Sequence, residues 1–546
     1  MQAKFIVVTG SLMSGLGKGI LVSSIMKVLD MYDLKVLPIK FDGYLNFDCG
    51  TMNPYRHGEV FVLEDGGEVD MDFGTYERFL DRDLDRDSSI TGGKIISSII
   101  EKERRGDFLG EDVQVTPHLT GEVIKYIEDF AEKKKIDIVV IEVGGTVGDI
   151  ENGYFIEAMR QLSLKRKVEF INLTYVPVIS SVGEQKTKPS QIGIRLLMQA
   201  GIKPDILVSR THEPLSEKTR EKLAFFSSLD KSRIISDEDL NNIYRFPINL
   251  LKQGVDRILL DDLGIKGLKI NRDKLRSWEE IADDTVGIEG ESIRIGIVGK
   301  YIDLKDSYVS VREAVYHASH ALGINTDIKW IEATNLRDEK QVSNELAGLD
   351  GVIIPGGFGA RGIEGKIMAI KYARENKIPL LGLCLGMQLM AVEFARNVCK
   401  LKGANSTEFD PKTKYKIIDL MPAQVAVKNK GGTMRLGAWK ARITVNDSIA
   451  YRAYKKKIIS ERHRHRYELN NRYRHLLEKA GLIVSATTLD GKLVEIMEWK
   501  NSYGIGTQAH PELKSRPSRP SPLFLSFINA ASEVKKQSLN TSTKSE

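Results

Sequence analysis

The feature that most constrains this chain is an alternation, in its first half, of short and nearly unbroken Val/Ile runs with longer helix-like stretches. FIVVTG, KVLPIKFD, IDIVVIEVGGTVGD, VEFINLTYVPVI and KPDILVSR follow one another, with segments such as ILVSSIMKVLDMYDL between them. A strand that is apolar on both faces must be covered on both faces, which is the condition of a parallel sheet with helical crossovers. A doubly wound α/β domain is therefore predicted. The pattern weakens over residues 262–292, DLGIKGLKINRDKLRSWEEIADDTVGIEGES, and resumes at Ile293 with IRIGIVGKY, GLDGVIIPGG and IPLLGLCLG. Two domains are expected, residues 1–268 and 293–533, joined by a linker at 269–292. The polar end, VKKQSLNTSTKSE at 534–546, lacks apolar periodicity and is expected to be disordered.

Length agrees with this division, because 546 residues exceed what one core organises. A net charge of +6 on such a length suits anionic small molecules and gives no ground for a nucleic-acid partner. The three cysteines, Cys49, Cys384 and Cys399, cannot form a disulfide framework, which points to a reducing compartment. No apolar run has membrane-spanning length, and the opening MQAKFIVVTG is unlike a signal peptide. The expected location is the cytoplasm, with no membrane partner.

In the second domain, IPLLGLCLGMQLMAVEFA puts Cys384 between a buried strand and a helix, flanked at i±2 by Gly382 and Gly386. Small flanking residues permit the strained turn of a nucleophile elbow, where a helix N-terminus favours a thiolate and an adjacent oxyanion. A lone cysteine is more often a buried structural residue. Here, however, PGGFGARG offers Gly357 as an oxyanion donor, and GIGTQAHPEL offers His510 as a base with Glu512 to orient it.

GLCLGMQ, PGGFG and QAHPE together resemble the class I glutamine amidotransferase family. That resemblance implies a Cys384–His510–Glu512 set that hydrolyses glutamine to glutamate and ammonia. It also implies glutamine-binding positions at Gly357, Leu385, Gly386, Met387, Gln388, Glu408 and Arg466. An arginine suits a substrate carboxylate because its guanidinium binds in two-point fashion. The run Arg462 to Arg466 alternates Arg and His, and strand geometry sends alternate residues to opposite faces, which argues against one basic surface.

A domain that releases ammonia needs an acceptor activated by phosphorylation. TGSLMSGLGKG follows a strand and precedes a helix, although Leu12 and Gly19 break the Walker pattern. GLGKG, YLNFD, GTMNP, HGEVFV, ERRGDFLG, EVGGTVGDIE, GEQKTKPSQ, ANSTEF, GGTMRLG and RHRHRYE, in this order, resemble the CTP synthase family from about residue 3 to residue 530.

The resemblance implies an N-terminal P-loop-like amidoligase domain and a C-terminal class I glutamine amidotransferase domain, both doubly wound α/β. It assigns ATP to Ser14, Gly15, Leu16, Gly17, Lys18, Gly19, Lys40, Asp72 and Asp239, and Mg²⁺ to Asp72 and Glu142. UTP or CTP falls to Ser14, Asp149, Ile150, Glu151, Lys186, Thr187, Lys188, Pro189, Ser190, Gln191 and Lys222, with KTKP read as extended because Pro189 disfavours helix at Lys188. His57 and Val60 are expected along an ammonia passage.

The implied reaction is ATP-dependent amination of UTP through a 4-phosphorylated intermediate, without an organic prosthetic group. GTP is the expected activator, CTP the feedback inhibitor, and a homo-oligomer from dimer to tetramer, extending to filaments, the expected assembly. Gly43 and Cys49 replace the family's usual prolines, and the segment from Glu408 to Gly431, part of the lid linked to GTP response, is short. Cobyrinic acid amidating enzymes, the nearest rival, share the phosphate loop and the general design, but KTKPSQ and GGTVGDIE favour UTP, and the full Cys-His-Glu set is not that family's pattern. A nucleotide-sensing scaffold would not need Lys18, Asp72, Glu142, Cys384, His510 and Glu512 together.

Overall fold

The computed structural model describes residues 2–542 apart from 180–182, 284–291, 303, 422, 423 and 425–431. It divides the chain into two compact units, Met1–Asp48 with Thr75–Asp284, and Cys49–Gly74 with Thr285–Glu546.

The first unit is built on β1 (Lys4–Gly10), β2 (Val36–Asp42), β3 (Ser89–Thr91), β4 (Ile138–Val143), β5 (Val168–Tyr175), β6 (Ile206–Thr211) and β7 (Ile234–Glu238). All pair in parallel, in the order β7-β6-β5-β1-β4-β2-β3. Ile6, Val7, Val8, Val139, Val140 and Ile141 are fully buried on both sheet faces, which is why these runs show no polar alternation. The chain leaves β1 toward β2 on one side, and after β4 returns to β5 on the other. The carboxyl ends of β1 and β4 thus flank the reversal of strand order where open α/β sheets bind ligands. Around the sheet lie α1 (Lys18–Asp30), α2 (Lys188–Gln199) and α3 (Glu217–Ser227).

Two expectations about boundaries are corrected. The first part of the expected linker forms the helix Arg272–Ala282, whose N-terminus is capped by the Asn271 side chain. That helix docks on the first unit: the Trp278 indole donates to the Tyr244 carbonyl at 2.9 Å, and Lys274 pairs with Asp33 at 3.0 Å. Residues 284–291 of that stretch lie outside the described residues. Conversely, Cys49–Gly74 does not join the first unit, because its contacts are with the second.

The second unit carries a nine-stranded mixed sheet made of β8 (Ile293–Gly299), β9 (Thr326–Glu332), β10 (Gly351–Ile354), β11 (Leu380–Leu383), β12 (Arg435–Ile443), β13 (Ile458–His465), β14 (Leu482–Thr488), β15 (Val494–Trp499) and β16 (Gly504–Thr507). Its order is β9-β8-β10-β11-β16-β15-β14-β12-β13. The half from β9 to β16 is parallel and the rest antiparallel, so double winding holds for only part of this sheet. Covering helices include α4 (Ile363–Glu375), α5 (Leu385–Asn397) and α6 (Pro522–Ser542). The tail expected to be disordered is helical through Ser542; Leu523, Phe524, Phe527, Ile528 and Ala531 anchor α6 in the core. Among the described residues no helix is long and apolar enough to cross a membrane.

Glu169, buried in β5, lies 3.6 Å from Arg233, which also holds Asp262 at 2.6 Å. Burial, then the neighbouring Asp205 and Asp262 carboxylates, push the Glu169 carboxyl up to about 9. A folded value above the unfolded one means that the folded chain keeps a proton the unfolded chain releases. This stabilisation is complete below pH about 4 and is lost as pH rises toward 9. Glu169→Gln, fixed in the neutral form, is expected to lose less thermal midpoint than the native chain between neutral pH and pH about 9. Parallel pH profiles for the two would show that Glu169 does not hold the proton.

Candidate active site

The second unit's site begins with a backbone constraint. Between β11 and α5, Cys384 adopts φ 48° and ψ −98°, outside the regions ordinary residues favour. Its N–H donates to the Thr507 carbonyl at 2.7 Å, and its carbonyl accepts the Gln388 N–H at 3.1 Å, so sheet and helix hold the turn from both sides. The flanking glycines are required by space. A Cβ on Gly386 would stand 2.1 Å from the Ile354 carbonyl oxygen, and one on Gly382 would stand 2.8 Å from the Gly386 backbone.

Parallel pairing of β11 with β16 aligns Leu383 with Thr507, so both chains leave the same sheet edge side by side. Cys384 emerges from one, and Gln508, His510 and Glu512 from the other. The His510 Nδ1 lies 2.7 Å from Glu512 Oε1. Burial disfavours a charged imidazole, but the Glu512 carboxylate and the Cys384 sulfur outweigh it and raise the His510 pKa well above the usual histidine value. Such an imidazole readily accepts the thiol proton.

These groups open onto a cavity of about 410 Å³ whose lining includes Val60, Gly357, Cys384, Arg466, His510 and Glu512. The turn after β10 forms one wall: a Cβ on Gly356 would stand 2.9 Å from His510 Cε1, and Gly357 has φ 151°. Two buried lysines that the motif reading passed over hold this turn. Lys300 donates to the carbonyls of Phe358 at 2.5 Å and Gly359 at 2.7 Å, and Lys366 donates to Pro355 at 2.9 Å. Burial lowers the Lys300 ammonium to about 8 against the pull of Glu408. With their carbonyls tied down, the turn's peptides keep a fixed orientation beside Cys384. The only sequence trace of this was a lysine ending the apolar run IRIGIVGKY.

Glu408 accepts the Gly359 N–H at 2.9 Å, and burial pushes its carboxyl up despite that bond and Lys300. Arg466 bonds Gln424 at 2.5 Å and Thr433 at 3.0 Å, and desolvation lowers its pKa. Leu385, Gly386 and Met387 are buried in the first turn of α5, and Gln388 donates to the Tyr467 carbonyl at 2.9 Å. Much of the lid segment, 422, 423 and 425–431, lies outside the described residues.

A further part of the lining, Gly50 to Pro54 with Glu59 and Val60, comes from the segment Cys49–Gly74. It is held by β13. Arg462 reaches Glu64 at 3.0 Å and the Val62 carbonyl at 3.1 Å, while Arg464 reaches Glu68 at 2.8 Å and the Gly50 carbonyl at 3.0 Å. Val60 lines the cavity; His57 ends the short helix Pro54–His57, is exposed and is not among the lining residues.

In the first unit, the loop Ser14 to Gly17 lies between β1 and α1, with Gly15 at φ 78° and Gly17 at φ 96°. Lys18 folds back to donate to the Gly145 carbonyl at 2.7 Å, and a Cβ on Gly10 would stand 2.9 Å from its Nζ. Gly19 is buried in α1. Lys40 and Glu142 are register partners on β2 and β4, and Glu142 accepts a hydrogen bond from the Tyr76 hydroxyl. Asp72, which opens the helix Asp72–Leu80, belongs to the second unit's segment. Among the described residues no group of three or more His, Cys, Asp and Glu is arranged to hold a metal ion. A nucleotide-borne Mg²⁺ needs as little as one carboxylate besides phosphate oxygens and water, and Glu142 of the first unit and Asp72 of the second are each a carboxylate of that kind.

Asp149 accepts the Thr146 N–H at 2.7 Å, and beside it Ile150 and Glu151 enter an exposed turn. Lys186 pairs with Glu184 at 2.5 Å, the Gln191 amide donates to Thr187 at 2.9 Å, and Ser190 donates to the Tyr175 carbonyl at 2.8 Å. Lys188 is not extended as expected. It begins α2, because a proline in a first helical turn loses no backbone hydrogen bond and Pro189 sits there. Lys222 lies exposed on α3, and Asp239 is bound by Arg210 at 2.5 Å and His212 at 2.8 Å.

Residues 4–265 match the family described as CTP synthase N-terminus, and residues 303–530 match glutamine amidotransferase class-I. The chain belongs to the CTP synthase family. It is 48% identical to the CTP synthase of Caldanaerobacter subterraneus over 98% of this chain and 99% of that one. It is 49% identical to that of Pyrococcus abyssi over 98% and 99%, and 46% identical to that of Bacillus subtilis over 98% and 100%. The CTP synthase signatures YLNFD and GTMNP thus run across the boundary between the two units, which the structure puts after Asp48.

Gly386→Ala tests the elbow. Its Cβ would meet backbone and not a side chain that can swing away, so a stability loss of about 1–3 kcal/mol is expected in chemical unfolding. A variant as stable as the native chain would show that the turn has room the structure does not give it.

Proposed function

We propose that this chain aminates UTP to CTP with ATP, using ammonia that it takes from glutamine. The observation that carries this reading is the Cys384–His510–Glu512 set open to its own cavity, in a chain whose other unit places a lysine loop at the strand-order reversal. Neither part alone makes an amidoligase.

At the glutaminase site, His510 takes the Cys384 proton and the sulfur attacks the substrate amide carbon. An S–C bond forms, the C–N bond breaks, and the proton goes from His510 to the departing ammonia. Water then cleaves the thioester, with His510 accepting its proton, to release glutamate and restore the thiol. The Gly357 turn supplies backbone donors for the oxyanion. Glu408 and Arg466 suit the ammonium and carboxylate ends of glutamine.

At the synthetase site, Lys18 and the Ser14–Gly19 loop bind the ATP phosphates, Lys40 faces the transferred phosphoryl group, and Asp239 lies on the ATP side. Phosphorylation of the UTP O4 turns it into a leaving group. Ammonia then forms the new C–N bond at C4 as the C–O bond to phosphate breaks, leaving CTP. Asp72 and Glu142 would hold Mg²⁺, which supplies charge neutralisation at the phosphates. Asp149 to Glu151, Lys186 to Gln191 and Lys222 bind the pyrimidine nucleotide, as substrate or as inhibitory CTP. Ammonia must stay unprotonated on its way between the two chemistries, with Val60 and His57 assigned to that route. Activation by GTP, homotetramer formation and a cytoplasmic location belong to the same reading.

CTP formation with UTP, ATP and Mg²⁺, fed by glutamine or by ammonium, checks the proposal. The native chain should use both nitrogen sources, Cys384→Ala only ammonium, and Lys18→Ala neither, with at least a hundredfold loss expected for a phosphate-bound lysine. No CTP from either source in the native chain would sink the enzyme reading in favour of a nucleotide-binding scaffold.

A further inference from the structure

The reaction as derived gives the sulfur one partner, His510, yet the fold supplies another. Because β11 and β16 are in register at Leu383 and Thr507, the next residue on each chain, Cys384 and Gln508, emerges beside the other. Gln508 is fully buried, and its backbone N–H donates to the Glu495 carbonyl at 2.9 Å. Its side-chain Nε2 lies 3.6 Å from Cys384 Sγ, within hydrogen-bonding range for sulfur.

The orientation of that amide is dictated by its surroundings. The Gln388 Nε2 donates to the Tyr467 carbonyl at 2.9 Å and to Gln508 Oε1 at 3.3 Å. A carbonyl can only accept, so the Tyr467 oxygen fixes which end of the Gln388 amide is the nitrogen. Gln508 must then turn its oxygen toward Gln388 and its NH₂ toward the sulfur. A second neighbour of Sγ is the Arg464 carbonyl, at 3.8 Å. That oxygen can accept from a thiol S–H but can offer a thiolate nothing. Of these two contacts, only the Gln508 N–H favours the anion.

We propose that Gln508 is a further catalytic residue, whose side-chain N–H donates to the Cys384 sulfur, stabilises the thiolate and aims it at the cavity. The part that concerns glutamine rests on the glutaminase reading above; the hydrogen bond itself does not. The donor acts on the nucleophile and not on the substrate, so its loss should slow the chemical step and leave glutamine binding nearly intact.

The test uses the full chain with Gln508→Leu, which removes the donor at similar volume, and Gln508→Glu, which keeps the shape and presents oxygen to the sulfur. Two quantities are read: glutamate release from glutamine, and the pH dependence of Cys384 alkylation by iodoacetamide, followed by mass spectrometry to separate it from Cys49 and Cys399. A hydrogen bond to a charged group predicts about a tenfold to hundredfold fall in kcat with KM little changed, and an alkylation profile moved about one pH unit or more upward. Unchanged alkylation in either variant that retains the native thermal midpoint overturns the proposal. If Gln508→Leu fails to fold, Gln508→Glu decides. Should the native chain release no glutamate, the glutaminase reading fails, while the alkylation profile still decides whether Gln508 bonds the sulfur.

Discussion

Much of the second unit follows from holding one residue where it would not rest. Cys384 at φ 48° and ψ −98° costs of order 1–3 kcal/mol of backbone strain, and the surrounding structure must over-determine it. It does so with the last ladder bonds of a parallel strand pair, the first turn of a buried helix, and two glycines, Gly386 letting α5 approach β10 and Gly382 letting β11 approach α5, each within backbone contact. Parallel pairing has the further effect of delivering both strand ends to one edge. An antiparallel partner would have sent its following residues to the far side, and His510 could not have met the thiol. β16 is parallel to β11 and antiparallel to β15, so it is the seam at which the mixed sheet changes direction and the place where the site assembles.

The second determining element is the alternation of β13. Arg462 and Arg464 point one way, to Glu64 and Glu68; His463 and His465 point the other, to a buried set in which Arg435 holds Glu468 at 3.1 Å and Glu495 at 2.6 Å. Burial and the Arg435 charge push both imidazoles well below the usual histidine value, leaving them neutral partners that spare the cluster further positive charge. Pairing of buried charges is a condition of burial more than a source of net stability. Its value here is geometric, because the two arginines fix the segment that contributes Gly50 to Pro54, Glu59 and Val60 to the cavity of Cys384.

Legibility divided along physical lines. The parallel strands, both α/β units, the elbow and the glycine loop between β1 and α1 could all be read, since apolar runs and glycine spacing report burial and steric need directly. The alternation of RHRHR also foretold opposite faces. Lys300 and Lys366 were invisible because a lysine's burial depends on which carbonyls the fold happens to turn toward it. Helix at Lys188 was missed because the rule against helix before proline yields to proline's ease in a first turn. The docked helix Arg272–Ala282 was hidden by its charged surface; only Trp278 and the Asn271 cap announce it. The tail was misread for a similar reason, its anchoring residues lying upstream at Leu523 to Ala531.

The segment Cys49–Gly74 carries the widest consequence. Its position in the sequence puts it in the first half of the chain, and its family signatures GTMNP and HGEVFV are those of the synthetase half, yet its contacts include Arg462, Arg464 and Leu436. Gly437 at φ 75° and Gly66 at φ 82° let the two backbones touch, a closeness that no side chain would allow. A polypeptide beginning at residue 293 would therefore keep Cys384, His510 and Glu512 and still lack one wall of their cavity. It would also leave the Arg462 and Arg464 guanidinium groups without their carboxylate partners Glu64 and Glu68. The glutaminase unit is thus completed by residues encoded far ahead of it, and its completeness depends on the first half of the chain being present.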